Sequence, residues 1–304
     1  MRGAARVPIF LTILVVVIAL LLSYAFLSAG DGVVRVRVST TTSLYATGLA
    51  DYLASSFSIV YPEARVEFVA VGTGAALKLA ERRDVCAVLI HEPSLEKQYI
   101  DKGVIKDRKI FAYNYFVIVG PAEDPANVSN SSNLVEVFKK IYYAGEESRT
   151  SFISRGDKSG THVRELSVWG LTGLSVEGAR WYLDCGCGMS EALVIANELS
   201  SYTLSDIGTY LKLENSGRLS RLRILYENKE DNLTINVYSA YVVEGCNSLE
   251  KKYAELFINF VYEKQQELVG SFGVSEYGRP LFYPAKDKEL VIQGLWDVLA
   301  SGLR

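Results

Sequence analysis

Three short stretches of this chain carry residue types that suit one chemistry. The first is Ser39-Thr40-Thr41-Thr42-Ser43, five hydroxyls in a row. The second is Val71-Gly72-Thr73-Gly74, and the third is "SRGDKSGTH", Ser154 to His162. Each follows an apolar, strand-like run and precedes a helix-like one. The first N–H groups of a helix have no partner inside it and carry part of the helix dipole's positive end. Such an end takes up anions. Hydroxyls add donors that rotate to meet an acceptor. Glycine lets the backbone approach closely, and Arg155 contributes a permanent positive charge on a planar fork of donors. One Ser or Thr accounts for a helix cap, and Gly-Thr-Gly is a common turn. Three such turns in one chain form a pattern that capping alone does not explain.

The elements that must position these turns can be read from periodicity. "VVRVRV" alternates as a strand does, and Leu44, Leu49, Leu53, Phe57 and Val60 fall at helical spacing until Pro62. "ARVEFVAVG", "DVCAVLIH" and "YNYFVIVGP" read as strands, with "AALKLAERR" a helix between the first two. "NLVEVFKKIYYAG" reads as a helix. "SVEGARWYLDCG" and "SEALVIANELSS" also read as helices, and "LRILYEN" and "LTINVYSAYVVEG" as strands. Residues 248–273 read as one long amphipathic helix. The alternation predicts an α/β fold with a parallel sheet covered on both faces. In such folds, ligands bind at the carboxyl ends of strands, where all three turns lie.

The remaining composition narrows the function classes. The chain has 304 residues, enough for two lobes, and a hydrophobic content of 49% that can fill their cores. The net charge is -3 and Lys and Arg are scattered, so nucleic acid is not an expected partner. An anion site here must work by local geometry. Arg2 and Arg6 precede a segment without charge from Val7 to Gly30, long enough to span a bilayer. Residues 1–30 therefore read as a signal or anchor helix that keeps its arginines inside and places the remainder outside the cytoplasm, tethered or released. The sequons at Asn127, Asn130 and Asn232 agree with that side. Cys86 reads as a small core hydrophobe, while outside the cytoplasm Cys185 or Cys187 could pair with Cys246, the spacing alone fixing no connectivity. No cluster of Cys, His or carboxylate offers a metal site. No Gly-x-Ser-x-Gly elbow is present, and His91 and His162 are the only histidines. Ser159 and His162 therefore do not assemble a hydrolytic triad, and no enzyme activity or cofactor is expected.

These phrases together resemble the extracytoplasmic tungstate-binding proteins of ABC importers, within the type II periplasmic-binding-protein superfamily. The matching stretches are "STTTS", "VGTGAALKL", "VLIHEP", "YNYFVIVGP", "SRGDKSGTH", "WYL" with "GMSEAL", and "YTLSDIGTYL", from Ser39 to Leu211. The resemblance implies a two-lobe fold, with lobe one formed by residues 33–114 and 239–304 and lobe two by 115–238. Crossings are expected near Tyr113 to Val117 and Val237 to Tyr241. It implies a ligand wall of Thr41, Thr42 and Ser43, extended by Thr73 and Gly74 and faced by Arg155, Ser159, Gly160 and Thr161. It also implies a monomer that delivers an oxyanion to a membrane permease. Two departures stand out. Ala75 replaces a glutamine usual in the family, and "DCGCGM" replaces an acidic-Thr-Gly-Gln-Gly stretch.

Tungstate carries no proton at neutral pH and needs donors only, whereas phosphate keeps a proton that a carboxylate can accept. Asp157 is therefore the residue that discriminates between them. Pointing into the cleft it would suit phosphate; paired with Arg155 or a helix end it would suit tungstate. A phosphate- or molybdate-binding protein of an ABC importer and a membrane-anchored sensor ectodomain remain the alternative readings.

Overall fold

The computed structural model describes residues 32–301. Strand β1 (Val34–Thr41) runs straight into α1 (Thr42–Thr47), and α2 (Leu49–Val60) follows. Next come β2 (Ala64–Val71), α3 (Thr73–Glu81), β3 (Ala87–Ile90), α4 (Pro93–Asp101) and the long β4 (Ile105–Pro121). The middle of the chain holds α5 (Leu134–Glu146), β5 (Phe152–Ser154), α6 (Gly160–Thr172), β6 (Tyr182–Asp184), α7 (Met189–Leu199), β7 (Thr203–Asp206), α8 (Ile207–Asn215) and β8 (Leu222–Tyr226). The chain then returns through β9 (Ile235–Val243), α9 (Ser248–Glu263), α10 (Gln265–Leu268), α11 (Val274–Tyr277), β10 (Tyr283–Pro284) and α12 (Glu289–Ala300). The apolar segment expected to enter the membrane lies outside the described residues. Among those described, no helix is long and apolar enough to cross a membrane.

The main sheet has the order β10-β4-β9-β3-β1-β2. Only β2, β1 and β3 run parallel; β9 enters antiparallel to β3 and to β4. The sheet is thus mixed rather than wholly parallel, because the β9 strand returns from the middle of the chain instead of following a crossover helix. Strand β4 changes partner along its length. It pairs with β9 as far as Tyr115, then with β7 and β8 from Phe116 onward. One set of cores packs Val36, Val38, Leu53, Phe57 and Phe257 around the first three strands. Another packs Phe138, Phe152, Trp169 and Trp181 beyond Phe116. Burying an aromatic ring of this kind contributes about 3–5 kcal/mol relative to alanine.

Several local expectations are corrected. The helical stripe from Leu44 to Val60 is two helices, broken at Gly48, whose φ of 88° is left-handed and ends α1. Val60 is 56% exposed rather than on the buried face. "SVEGARWYLDCG" is not a helix. Tyr182–Asp184 form β6, paired in parallel with Phe152–Ser154, and Phe152 N–H donates to the Trp181 carbonyl at 2.8 Å. Tertiary pairing overrides the helical pattern there. The long helix from residue 248 stops at Glu263, where buried Gln265 donates to the Tyr262 carbonyl and accepts from Lys286 N–H. The cysteines pair as Cys86–Cys246 and Cys185–Cys187, not across the two sets. Cys86 is buried as expected but bonded. Strand β9 lies beside β3, and Val243 N–H donates to the Cys86 carbonyl, so the chain passes Cys86 again at Cys246.

Candidate functional site

The five hydroxyls at the end of β1 have five different surroundings. Ser39 donates to the Ala76 carbonyl at 3.1 Å and ties β1 to α3. Thr40 is fully buried, and its hydroxyl has no partner. Thr41 caps α1, accepting from Leu44 N–H at 3.2 Å. The half-buried Thr42 accepts from the Arg155 guanidinium at 3.3 Å. Ser43 lies 3.1 Å from His91 Nε2. His91 Nδ1 sits 2.9 Å from Asn236 Oδ1, so with this amide orientation Nδ1 donates and Nε2 accepts from the Ser43 hydroxyl. Burial pushes the His91 pKa down to about 3, helped by the positive fields of Arg155 and Arg164 and opposed by the Asn236 hydrogen bond. The ring is therefore neutral at ordinary pH.

The other two turns meet the first in space. Thr73, the first residue of α3, is fully buried, and its hydroxyl has no partner. An ideal Cβ on Gly72 would lie 3.8 Å from the Asp157 carbonyl oxygen, and one on Gly74 4.0 Å from that of Lys158. The second turn thus lies against the third, backbone to backbone. Ala75, which the resemblance sets against a glutamine, is exposed. In the third turn, Arg155 is 2% exposed and pairs through Nη2 with Asp157 Oδ2. Asp157 Oδ1 accepts from Ser159 N–H at 3.0 Å. Ser159 caps α6, accepting from His162 N–H. Gly160 faces β3's end, and a Cβ there would lie 3.2 Å from His91 Cε1 and from Glu92 Cβ. Thr161 is buried, and its hydroxyl has no partner.

All nine residues expected at the site are thus at the junction of three strand ends. Each turn contributes one buried threonine hydroxyl, of Thr40, Thr73 or Thr161, that no protein group satisfies. A buried polar group left in that state costs about 1–3 kcal/mol, and three turns that each carry one make their junction the candidate site. The three turns contribute hydroxyls, helical N–H groups and a guanidinium, all of them donors. The Asp157 carboxylate is taken up by Arg155 and by Ser159 N–H. Buried Asp206 caps α8 through Thr209; burial raises its pKa, and its Thr209 hydrogen bonds and Arg155 oppose the rise. A cavity of about 490 Å³ beside Arg108 and Trp296 lies elsewhere and contains none of these residues.

His91, Asn236 and Arg164 were not singled out from the sequence. His91 carried a legible signal, since it closes the buried strand β3 at the same sheet edge as the three turns. Asn236 and Arg164 carried none. Asn236 comes from a strand distant in sequence. Arg164, 4% exposed, donates to the Leu233 carbonyl at 2.8 Å from one turn inside α6.

A PBP superfamily domain matches residues 28–265. The tungstate-binding protein TupA of Peptoclostridium acidaminophilum is 38% identical over 255 residues, 81% of this chain and 84% of that protein. The chain belongs to the TupA family of the PBP superfamily. The TupA of Campylobacter jejuni is 33% identical over 220 residues, 71% of this chain and 79% of its own. The solved tungstate-binding protein TupA from Desulfovibrio alaskensis G20 superposes with a TM-score of 0.69 at 38% identity, covering 83% of this chain and 98% of that one. The fold is therefore the α/β fold of that superfamily.

Proposed function

We propose that this chain is the substrate-binding component of an ABC importer, that it takes tungstate, and that it works outside the cytoplasm. Two TupA relatives bear the printed description of tungstate-binding proteins. The single observation that carries the reading in this structure is the set of three buried, unpartnered threonine hydroxyls, one in each of three turns, the third of which also holds the buried Arg155. In this reading residues 33–114 with 239–304 form one lobe and 115–238 the other. Thr41, Thr42, Ser43, Thr73 and Gly74 face Arg155, Ser159, Gly160 and Thr161 across the cleft. Ser43 serves through its backbone N–H, because its hydroxyl is held by His91. Tungstate, as a fully ionised tetrahedral dianion, meets donors alone, and the attraction between it and Arg155 is strong because water is excluded. Asp157 orients Arg155 instead of meeting the ligand, which disfavours a protonated phosphate. The reading involves no bond-breaking step and no cofactor. The permease would recognise the closed complex.

The test is calorimetric titration of the full chain in mild detergent with tungstate, molybdate, sulfate and phosphate. Tight binding of tungstate is expected. Arg155→Ala should weaken it about 10–150-fold through lost charge-assisted hydrogen bonds. Thr161→Val should weaken it about 2–10-fold, through one neutral bond. Tight phosphate binding without tungstate binding would replace this reading with a phosphate receptor. Silence towards all four anions would remove the oxyanion site.

A further inference from the structure

The "DCGCGM" stretch is not absorbed by the ligand wall. In the fold it clasps Arg155. Cys185 and Cys187 are disulfide-bonded around Gly186, which is exposed and has a φ of 62°. Cys185 N–H donates to the Ser154 carbonyl at 3.0 Å, and Cys187 N–H donates to the Arg155 carbonyl at 3.0 Å. Arg155 Nε in turn donates to the Cys187 carbonyl at 3.4 Å. The loop prolongs the β5–β6 pairing past Ser154 and Asp184, so it holds Arg155 by backbone and by side chain together. Cys185 and Cys187 are half-buried residues beside the exposed Gly186, whereas the second disulfide includes the buried Cys86.

We infer that the Cys185–Cys187 disulfide is a positioning element for Arg155 and makes anion binding sensitive to dithiol reductants. This rests on the anion-binding reading above. With the bond intact, three residues are confined to the conformation that makes all three hydrogen bonds to residues 154 and 155. With it reduced, Gly186 returns to the broad freedom of glycine and the clasp loosens. The exchange is balanced. A dithiol's thiolate attacks one cysteine sulfur and the other cysteine leaves as thiolate. The dithiol's second thiolate then displaces the first sulfur, so the dithiol becomes a disulfide, and two electrons and two protons reach the protein.

The experiment titrates tungstate into the full chain in detergent, oxidised, reduced with dithiothreitol, and reoxidised. The proteins are wild type, Cys185→Ser/Cys187→Ser and Arg155→Ala. Free thiols are located by alkylation and mass spectrometry. Reduction of wild type at Cys185 and Cys187 is expected to weaken binding about tenfold, reversibly, less than outright removal of the arginine. The double serine variant should bind with the reduced affinity whether or not reductant is present. In Arg155→Ala, reduction should produce no further loss, a coupling that a merely structural disulfide would not give. Hydrogen exchange of the Cys187 amide, which needs no ligand, should rise on reduction. Unchanged tungstate affinity and unchanged exchange with both thiols alkylated would overturn the inference. So would an equal loss on reduction in Arg155→Ala or in the double serine variant. Oxidised wild type that binds no anion would instead refute the anion-binding reading, and the exchange measurement would still decide whether the bond holds the clasp.

Discussion

Gly160→Ala separates closure of the site from stability of the fold. A Cβ at this position would sit 3.2 Å from His91 Cε1 and Nδ1 and from Glu92 Cβ. That is tighter than ordinary van der Waals contact, so a neighbour must yield by a few tenths of an ångström. His91 has little freedom to yield, because its ring is held on both nitrogens, by Ser43 and by Asn236. Residue 160 lies in the first turn of α6, where alanine suits the helix better than glycine. The strain therefore falls on the approach of α6 to the end of β3 and not on either core. Overpacking of this size costs about 1–3 kcal/mol. Assigned wholly to the closed form, that weakens tungstate binding about 5–150-fold. Calorimetry of the variant, together with its melting temperature without ligand, checks the argument. Unchanged affinity would refute it. A melting temperature lowered as much as binding would show the strain residing in the fold instead of the closure.

Three further outcomes are expected. Asp157→Asn should weaken tungstate binding, because Arg155 loses its orienting partner; stronger binding on titration would mean that the carboxylate had faced the ligand. Burial raises the pKa of Glu165 to about 8, against hydrogen bonds, the first from Tyr182, that lower it. A carboxyl raised in the folded state binds more protons there than when unfolded, so its stabilising effect is lost as pH rises from about 4.5 towards about 8. Glu165→Gln should therefore flatten the fall in melting temperature between about pH 5 and about pH 9, and an unaltered slope would exclude Glu165 as its source. Cys86→Ser/Cys246→Ser opens a link between residues 160 apart and should cost about 2–5 kcal/mol, lowering the melting temperature by roughly 10 °C. Thermal unfolding measured beside the Cys185→Ser/Cys187→Ser variant checks this, and an equal fall in both would contradict it.

Much of the site was legible because its parts are local. A hydroxyl run after a strand, a Gly-Thr-Gly turn and an Arg-Gly-Asp-Lys-Ser-Gly-Thr turn each declare a helix start with spare donors within a few residues. Strands β1, β2, β3, β5, β8 and β9 and helices α3, α5, α6, α7 and α9 were legible for the same reason, since each one's period is written in its own residues; strands β7 and β10 and helices α4, α8 and α12 were not read. The errors fall where a distant partner decides. Residues 182–184 became strand because Phe152–Ser154 lie beside them. The stripe to Val60 split because a left-handed glycine costs little where two helices must change direction.

The sequence by itself determined the classes of donor, the strand-to-helix joints that carry them, and the resemblance that names the ligand. Only the tertiary structure decided that Thr42 meets Arg155, that His91 holds Ser43, and that Asp157 turns towards Arg155 and Ser159. It also decided which cysteines bond. These are contacts between side chains up to 160 residues apart, or choices of direction by one carboxylate. Neither leaves a periodic trace along the chain, because a hydrogen bond or a disulfide depends on separations of a few ångströms in space.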